Sequence, residues 1–383
     1  MRKAVFILFL VHLFCAESIS QQVKIGLWRD GKVNERFYFH SAEQTVWFAD
    51  DGKMITIEAG RTSYFTLDGN SIKLSTSNRS YGRFKNIKLI ESSEVFVLKG
   101  IRPLRKEEKY DQGIEIIIDS LGLKLINYIS DFDAYVAGVI ESESGKEQVP
   151  EFYKVQAVIS RTYALSNKRR HEAEGFNLCD QVHCQVYHGI ARFNPDALEA
   201  ARNTEGQVLV DSDLELITAA FHSNCGGHTI NSEDVWSKAL PYLVGVEDPY
   251  CHDGAHAKWQ MTIPKNDWKE HLMEQSPGDL AKHGTALYSY QPVSRQKSYP
   301  SEDGYELKKL RYDWKLNSTF FSIEEVGEIL TLNGKGFGHG VGLCQEGAMG
   351  MVSEGFTYKE VLQHYYTDVH LIHLSVIDFF KEN

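Results

Sequence analysis

Between residues 21 and 125, apolar and polar side chains alternate in short runs. Val23, Ile25 and Leu27 alternate with Lys24 and Gly26 ahead of Asp30-Gly31, and further breaks come at Asp51-Gly52 and Asp68-Gly69. A period of two between Asp-Gly turns predicts short strands and a small β-rich N-terminal lobe that packs against the rest. Near residue 126 the period lengthens. Phe132, Tyr135, Val136, Val139 and Ile140 fall on one face of a helix. Gly145 stops that helix. Pro150 starts a second near Glu151, where Phe152, Val155, Ile159 and Thr162 or Tyr163 repeat the apolar face. Strand-like runs return at VLVD (208–211) and LELITAAF (214–221). Short strands and a Gly-rich loop are expected over 319–343, and GFTYKEVLQHYY (355–366) predicts a closing helix. Residues 252–310 are polar and read as a surface insertion in a body spanning 126–375. The expected class is α+β, with a β-rich N-terminal lobe (21–125) packed on a mixed α/β body that carries a substrate groove.

Composition adds a compartment and removes one class of partner. Arg2 and Lys3 precede the apolar run AVFILFLVHLF (4–14), which is too short to span a bilayer, and Ser18-Ile19-Ser20 precede Gln21. Residues 1–20 therefore read as a signal peptide, and the mature chain as exported to the periplasm, cell envelope or extracellular space. Lipidation of Cys15 is the alternative, although His12-Leu13-Phe14 is not its usual small-residue context. The formal charge is −11. Removing Arg2, Lys3 and Glu17 (+2 − 1) leaves −12 on the mature chain. An acidic surface argues against a nucleic-acid partner. Five cysteines remain after residue 20: Cys179, Cys184, Cys225, Cys251 and Cys344. An odd count is not a disulfide framework; it leaves a thiol over or several for metal.

The chemistry-bearing pieces are YVAGVIESE (135–143), VQAVISRTYAL (155–165), CDQVHCQVYHG (179–189), AFHSNCGGHT (220–229), LNSTFF (316–321) and GKGFGHGVGLCQEGAMGM (334–351). Glu143 ends the first predicted helix. Glu141 is its nearest carboxylate, but residues two apart on a helix point apart. A paired-carboxylate glycosidase, with groups ~5–5.5 or ~6.5–9.5 Å apart, is therefore not indicated. Five glycines lie within 334–342. Their spacing is neither a Walker nor a dinucleotide fingerprint. The loop reads either as a groove wall bearing His339 and Gln345 or as a turn needing positive φ. Gly226-Gly227 allow close backbone approach to a ligand, with His222 and Ser223 as hydrogen-bonding groups. Cys225, with His228 or His339 as base, keeps a thiol-peptidase reading open. Trp236, Tyr242 and Trp259 read as core aromatics that could also stack on a ring.

In this order, across roughly residues 120–370, the pieces resemble the SpoIID/LytB family of stage II sporulation protein D and amidase-enhancer proteins. The family usually has Met-Pro after its catalytic Glu, where this chain has Ser144-Gly145. The resemblance implies a lytic transglycosylase acting on peptidoglycan glycan strands, with Glu143 as the catalytic group. Its sporulation members prefer strands already stripped of peptides, which implies an N-acetylmuramoyl-L-alanine amidase as partner. It also implies a structural zinc at His171, Cys179, His183 and Cys184, against which a Cys179–Cys184 disulfide or a free thiol stands as the alternative. A lone Glu suits formation of a 1,6-anhydro ring, with its pKa raised by an apolar wall to which Val139 and Ile140 could contribute. Arg161 would bind the bare lactyl carboxylate of N-acetylmuramic acid, or form an intrahelical salt bridge. A non-catalytic amidase enhancer and a zinc or thiol hydrolase are the competing functions.

Overall fold

Residues 22–89, 92–145, 148–236 and 238–377 are described by a computed structural model. The expected signal peptide and Cys15 lie outside them. The N-terminal alternation folds into a twelve-stranded sheet. Its main path runs Leu178–Cys179, Val23–Leu27, Gly122–Ile129, Leu104–Asp119, Ser92–Arg102, Arg36–Ser41, Thr62–Leu67, Ile72–Ser75, Ser80–Phe84. Its neighbours pair antiparallel except the first two strands, where Ile25 lies parallel to and opposite Leu178. In Arg36–Ser41 the side chains of Phe37, Phe39 and Ser41 turn inward while Arg36 stays outside, as a period of two requires. Phe37 meets Phe65, and Phe39 meets Trp47 and Phe96, with ring centroids 4.9–5.0 Å apart.

Helix α1, Phe132–Ser144, follows strand Gly122–Ile129 almost directly. The Asp131 carboxylate caps it by accepting from the Ala134 N–H at 3.1 Å. Tyr135, Val136, Val139 and Ile140 form its buried face, and Gly145 ends it at φ +71°. Helix α2, Pro150–Ser166, starts on its proline. Helix α3, Pro195–Asn203, packs on both. One continuous core runs from Ile25 and Phe39 through Val139 and Val158 to Leu362. Strand Gly122–Ile129 crosses the predicted 125/126 boundary, so lobe and body share their packing. The fold is α+β.

Three segments differ from the sequence reading. Of LELITAAF only Phe221 enters a strand, Phe221–His222; Ile217, Ala219 and Ala220 are buried on irregular backbone. A helix not read from the sequence, α4 (Gln345–Ser353), follows the Gly-rich loop, before α5 (Tyr358–Tyr365). The polar insertion is a subdomain with its own core of Trp268, Leu272, Tyr299, Leu310, Phe321 and Leu332. Its sheet joins Lys258–Pro264, Ile329–Lys335 and Phe321–Val326. Its apolar residues are scattered in sequence and converge only across long loops. Among the described residues, no helix is long and apolar enough to cross a membrane.

Candidate functional site

Glu143 occupies the last turn of α1 and opens into a groove of about 660 Å³. The groove is bounded by Tyr163, Asn167 and Arg170 at the end of α2, by Val182 to Cys184, and by Phe221, Trp236, Leu240 and His339. Among the described residues lining it, Glu143 is the only carboxylate. A larger hollow of about 1020 Å³ lies in the subdomain, lined by Lys308, Lys309, Arg311 and Tyr312. Size alone does not choose between them; the perturbed acid does.

Burial pushes the Glu143 carboxyl above the usual glutamate range. The Val186 N–H, donating to Oε1 at 2.6 Å, and the nearby His188 partly offset this. The apolar wall comes from Val182, Phe221, Trp236 and Leu240. Val139 and Ile140 point instead into the core, with no exposed surface. Glu141 turns away, as its spacing requires, but it is not merely solvated. It accepts from the Arg192 and Phe193 N–H groups at 2.8–3.1 Å and holds that loop. Glu151 accepts from the Tyr358 N–H at 2.9 Å and pairs with Lys154.

The predicted substrate residues divide. His339 lines the groove. Its ring lies 5.6 Å from Trp236 and 5.4 Å from His222. Burial, with Arg311 and Arg295 nearby, holds His339 down to about 4, so the ring is neutral. Its Nδ1 accepts from the Val341 N–H at 3.0 Å, which leaves the ring proton on Nε2. His222 sits behind it, buried, with Nδ1 at 3.2 Å from the Val341 carbonyl and Nε2 buried without a partner. Ser223 is half-buried beside it, and its carbonyl accepts from the Glu346 N–H at 3.0 Å.

Arg161 does not reach the groove. It is 1% exposed and pairs with Asp133 at 2.8 Å, and it also donates to the carbonyls of Ala201 and Gln207. The pair joins α2 to α1; it is not intrahelical. A helix this deeply packed turns even its arginine inward. Gln345 is buried too. Its Nε2 donates to Gln156 Oε1 at 3.2 Å and lies 3.5 Å from the Glu143 carbonyl. It braces the end of α1 and does not face a ligand. Trp236 is in the groove, whereas Tyr242 is core and Trp259 belongs to the subdomain. Sequence reasoning missed Asn167, Arg170 and Leu240. The α2 period, continued one and two turns past Tyr163, points to Asn167 and Arg170.

His171 Nε2, Cys179 Sγ, His183 Nδ1 and Cys184 Sγ lie within 4.8 Å of one another. Three of the four sulfur–nitrogen distances are 3.4, 3.8 and 3.9 Å. With Zn–S ~2.3 Å and Zn–N ~2.0–2.1 Å, a tetrahedron has an S···N edge of about 3.6 Å. The donor set therefore fits zinc, and both cysteines are free. The Cys184 N–H donates to the Gln181 carbonyl at 2.9 Å, the turn that lets adjacent His183 and Cys184 converge. His171 Nδ1 lies 2.5 Å from Glu174, which orients the ring. Two residues after Cys184 comes the Val186 N–H that holds Glu143. Cys225 is fully buried against Asp248 and Cys251, and neither His228 nor His339 is hydrogen-bonded to it.

A helix-end glutamate, the only carboxylate among the described residues lining its groove, thus accepts from a loop that also carries four groups spaced as a metal would need. A family model described as stage II sporulation protein (SpoIID) matches residues 120–210. Stage II sporulation protein D of Bacillus subtilis is 29% identical over 251 residues, covering 61% of this chain and 72% of that protein. An uncharacterised protein of Brachyspira hyodysenteriae is 29% identical over 298 residues, covering 76% and 78%. The amidase enhancer of Bacillus subtilis is 26% identical over 285 residues, covering 60% of this chain and 39% of that protein. These similarities support a relationship to the SpoIID/LytB family.

Proposed function

We propose that this protein is an exported peptidoglycan lytic transglycosylase that cleaves glycan strands between N-acetylmuramic acid and N-acetylglucosamine. The observation that carries the reading is that Glu143, raised by burial, is the only carboxyl group among the described residues lining the groove. One acid can serve both half-reactions. Protonated Glu143 gives its proton to the glycosidic oxygen as the C1–O bond breaks. The carboxylate then takes the proton of the muramyl C6 hydroxyl as O6 bonds to C1. No water is consumed, so no second carboxylate is needed to activate one. Phe221 and Trp236 offer apolar faces to sugar rings. Neutral His339, its ring proton engaged with the Phe221 backbone, lines the groove beside Trp236. Arg170, exposed at the groove edge and anchored to the Tyr163 hydroxyl at 2.6 Å, replaces Arg161 as the group for a bare lactyl carboxylate. That would favour peptide-free strands and an amidase acting beforehand.

His171, Cys179, His183 and Cys184 would hold a structural zinc. Four protein ligands leave it no open position, so its chemistry is to fix the loop that presents the Val186 N–H. Export rests on residues 1–20 read as a signal peptide.

Mass spectrometry of digested glycan decides the reaction. The wild-type chain should leave anhydro ends, one water lighter than reducing ends. Glu143→Gln should lower their formation by about 10²–10⁴-fold with the fold intact. Reducing ends alone, or full turnover by Glu143→Gln, would sink the reading. A Glu143→Gln chain that still stimulates an amidase as well as wild type would favour the enhancer role, after which one relative is named.

A further inference from the structure

We propose that Cys225, Asp248, Cys251 and Cys344 form a second metal site, which binds one tetrahedral divalent ion of the zinc class. The four ligand atoms lie within 4.8 Å of one another, and all four residues are buried. Cys225 Sγ lies 3.5 Å from Cys251 Sγ and 3.1 Å from Asp248 Oδ2. A disulfide needs ~2.05 Å. Two sulfurs on one tetrahedral zinc stand about 3.8 Å apart. The set is too tight for an iron–sulfur cluster, whose ligands must span several metal ions. Three soft sulfur donors disfavour magnesium and calcium.

The bland alternative is three small buried cysteines. The surrounding groups argue against it. The Asp248 carboxyl has no exposed surface; it accepts from the Tyr250 N–H at 3.0 Å and lies 3.1 Å from the Cys225 sulfur, but among the described residues it has no lysine, arginine or histidine partner. A buried carboxylate without a cation is costly. Cys344 caps α4, and its sulfur accepts from the Cys225 N–H at 3.2 Å and the Gly347 N–H at 3.3 Å. Two backbone donors on one sulfur suit a thiolate. Arg295, 8% exposed, lays its guanidinium on the Cys225 carbonyl at 2.6 and 3.1 Å, again with no carboxylate partner among the described residues. Three thiolates and a carboxylate around a divalent ion carry −2 (+2 − 3 − 1), and Arg295 offsets part of that charge. The odd cysteine count then resolves: two cysteines serve the first ligand set and three the second.

Such an ion would tie together three segments distant in sequence. They are the strand end after His222, the Pro249–Cys251 turn and the start of α4, where Gln345 braces Glu143.

Metal analysis of the full mature chain, purified reduced and zinc-replete, tests this without any glycan assay. Wild type should hold two zinc ions per chain, with an average of about 2.5 sulfur ligands per zinc by X-ray absorption. Cys179→Ser/Cys184→Ser should keep one, and after cobalt exchange should show a thiolate-to-cobalt charge-transfer band. Cys251→Ser should also fall from two to one. A folded wild-type chain with no zinc, or with one zinc bearing two sulfur ligands where the Cys225 set would give three, or a Cys225–Cys251 disulfide found by peptide mapping, overturns the proposal. Because the wild-type values alone decide, misfolding of a variant does not rescue it. Loss of the transglycosylase reading leaves these values unmoved.

Discussion

A carboxyl group that must give up a proton and recover one works best when its pKa lies near the surrounding pH. Burial raises Glu143 in that direction, and the Val186 N–H limits the rise. Turnover should fall as pH rises through the folded-state value, because the first step needs the acid form. The same shift bears on stability. The folded pKa is raised above the unfolded one, so the contribution of the protonated form is complete below the unfolded value and is lost as pH rises through the folded one. Glu143→Gln stays neutral throughout. Thermal unfolding should show it more stable than wild type at about pH 8, with the advantage gone at about pH 4. No pH dependence of the difference would refute the assigned shift. Two arginines on one helix should also separate. Arg161→Ala leaves the buried Asp133 only the longer 3.5 Å contact to Arg202 and should cost about 3 kcal/mol in urea unfolding. Arg170→Ala should stay within about 0.5 kcal/mol of wild type, as surface changes do. Its effect should be on activity, reduced more on peptide-free than on peptide-bearing strands; equal loss on both would remove the lactyl role.

At the scale of elements, the acid is held by what packs around the end of α1. A Cβ on Gly138 would stand 2.3 Å from the Gly189 carbonyl and 2.7 Å from the Tyr187 ring. The helix needs glycine there because the 185–189 backbone lies directly on it. Gly138→Ala should push that loop off and carry the Val186 N–H away from Glu143. The expected cost is about 1–3 kcal/mol in stability, with a larger loss of kcat than of substrate binding. Unchanged turnover in the folded variant would separate the loop from catalysis. The Gly-rich loop follows the same logic on the other wall. Gly342, at φ +69°, would set a Cβ 2.2 Å from the Ala220 carbonyl. The loop needs positive φ and brings His339 to the groove, whereas Gln345 turns away from it.

Across the whole molecule, the 258–335 subdomain has its own core but is not independent of the groove. Lys258 and Lys335 face each other in one sheet, and the chain passes from Lys335 straight into the Gly-rich loop. Arg295 reaches back from it to the carbonyls of Cys225 and His228. Replacing residues 259–334 by a short Gly-Ser link should therefore leave the main core's calorimetric transition in place while abolishing glycan cleavage. Retained cleavage would show that Arg295 and its subdomain do not support the groove.

The features legible in the sequence are those set by local geometry. The strands from residue 23, the span of α1 and α2, and the helix-end location of Glu143 follow from periods of two and 3.6 and from Gly145 and Pro150. Cys179, His183 and Cys184 could be grouped because six residues of chain hold them close. Tertiary packing decided the rest. It turned Arg161 inward, gave Gln345 a brace to make, put Trp236 on the groove, built a core under a polar insertion, and gathered Cys225, Asp248, Cys251 and Cys344. Those outcomes depend on partners often more than a hundred residues away in the chain, and no local pattern encodes which buried surface a side chain will meet.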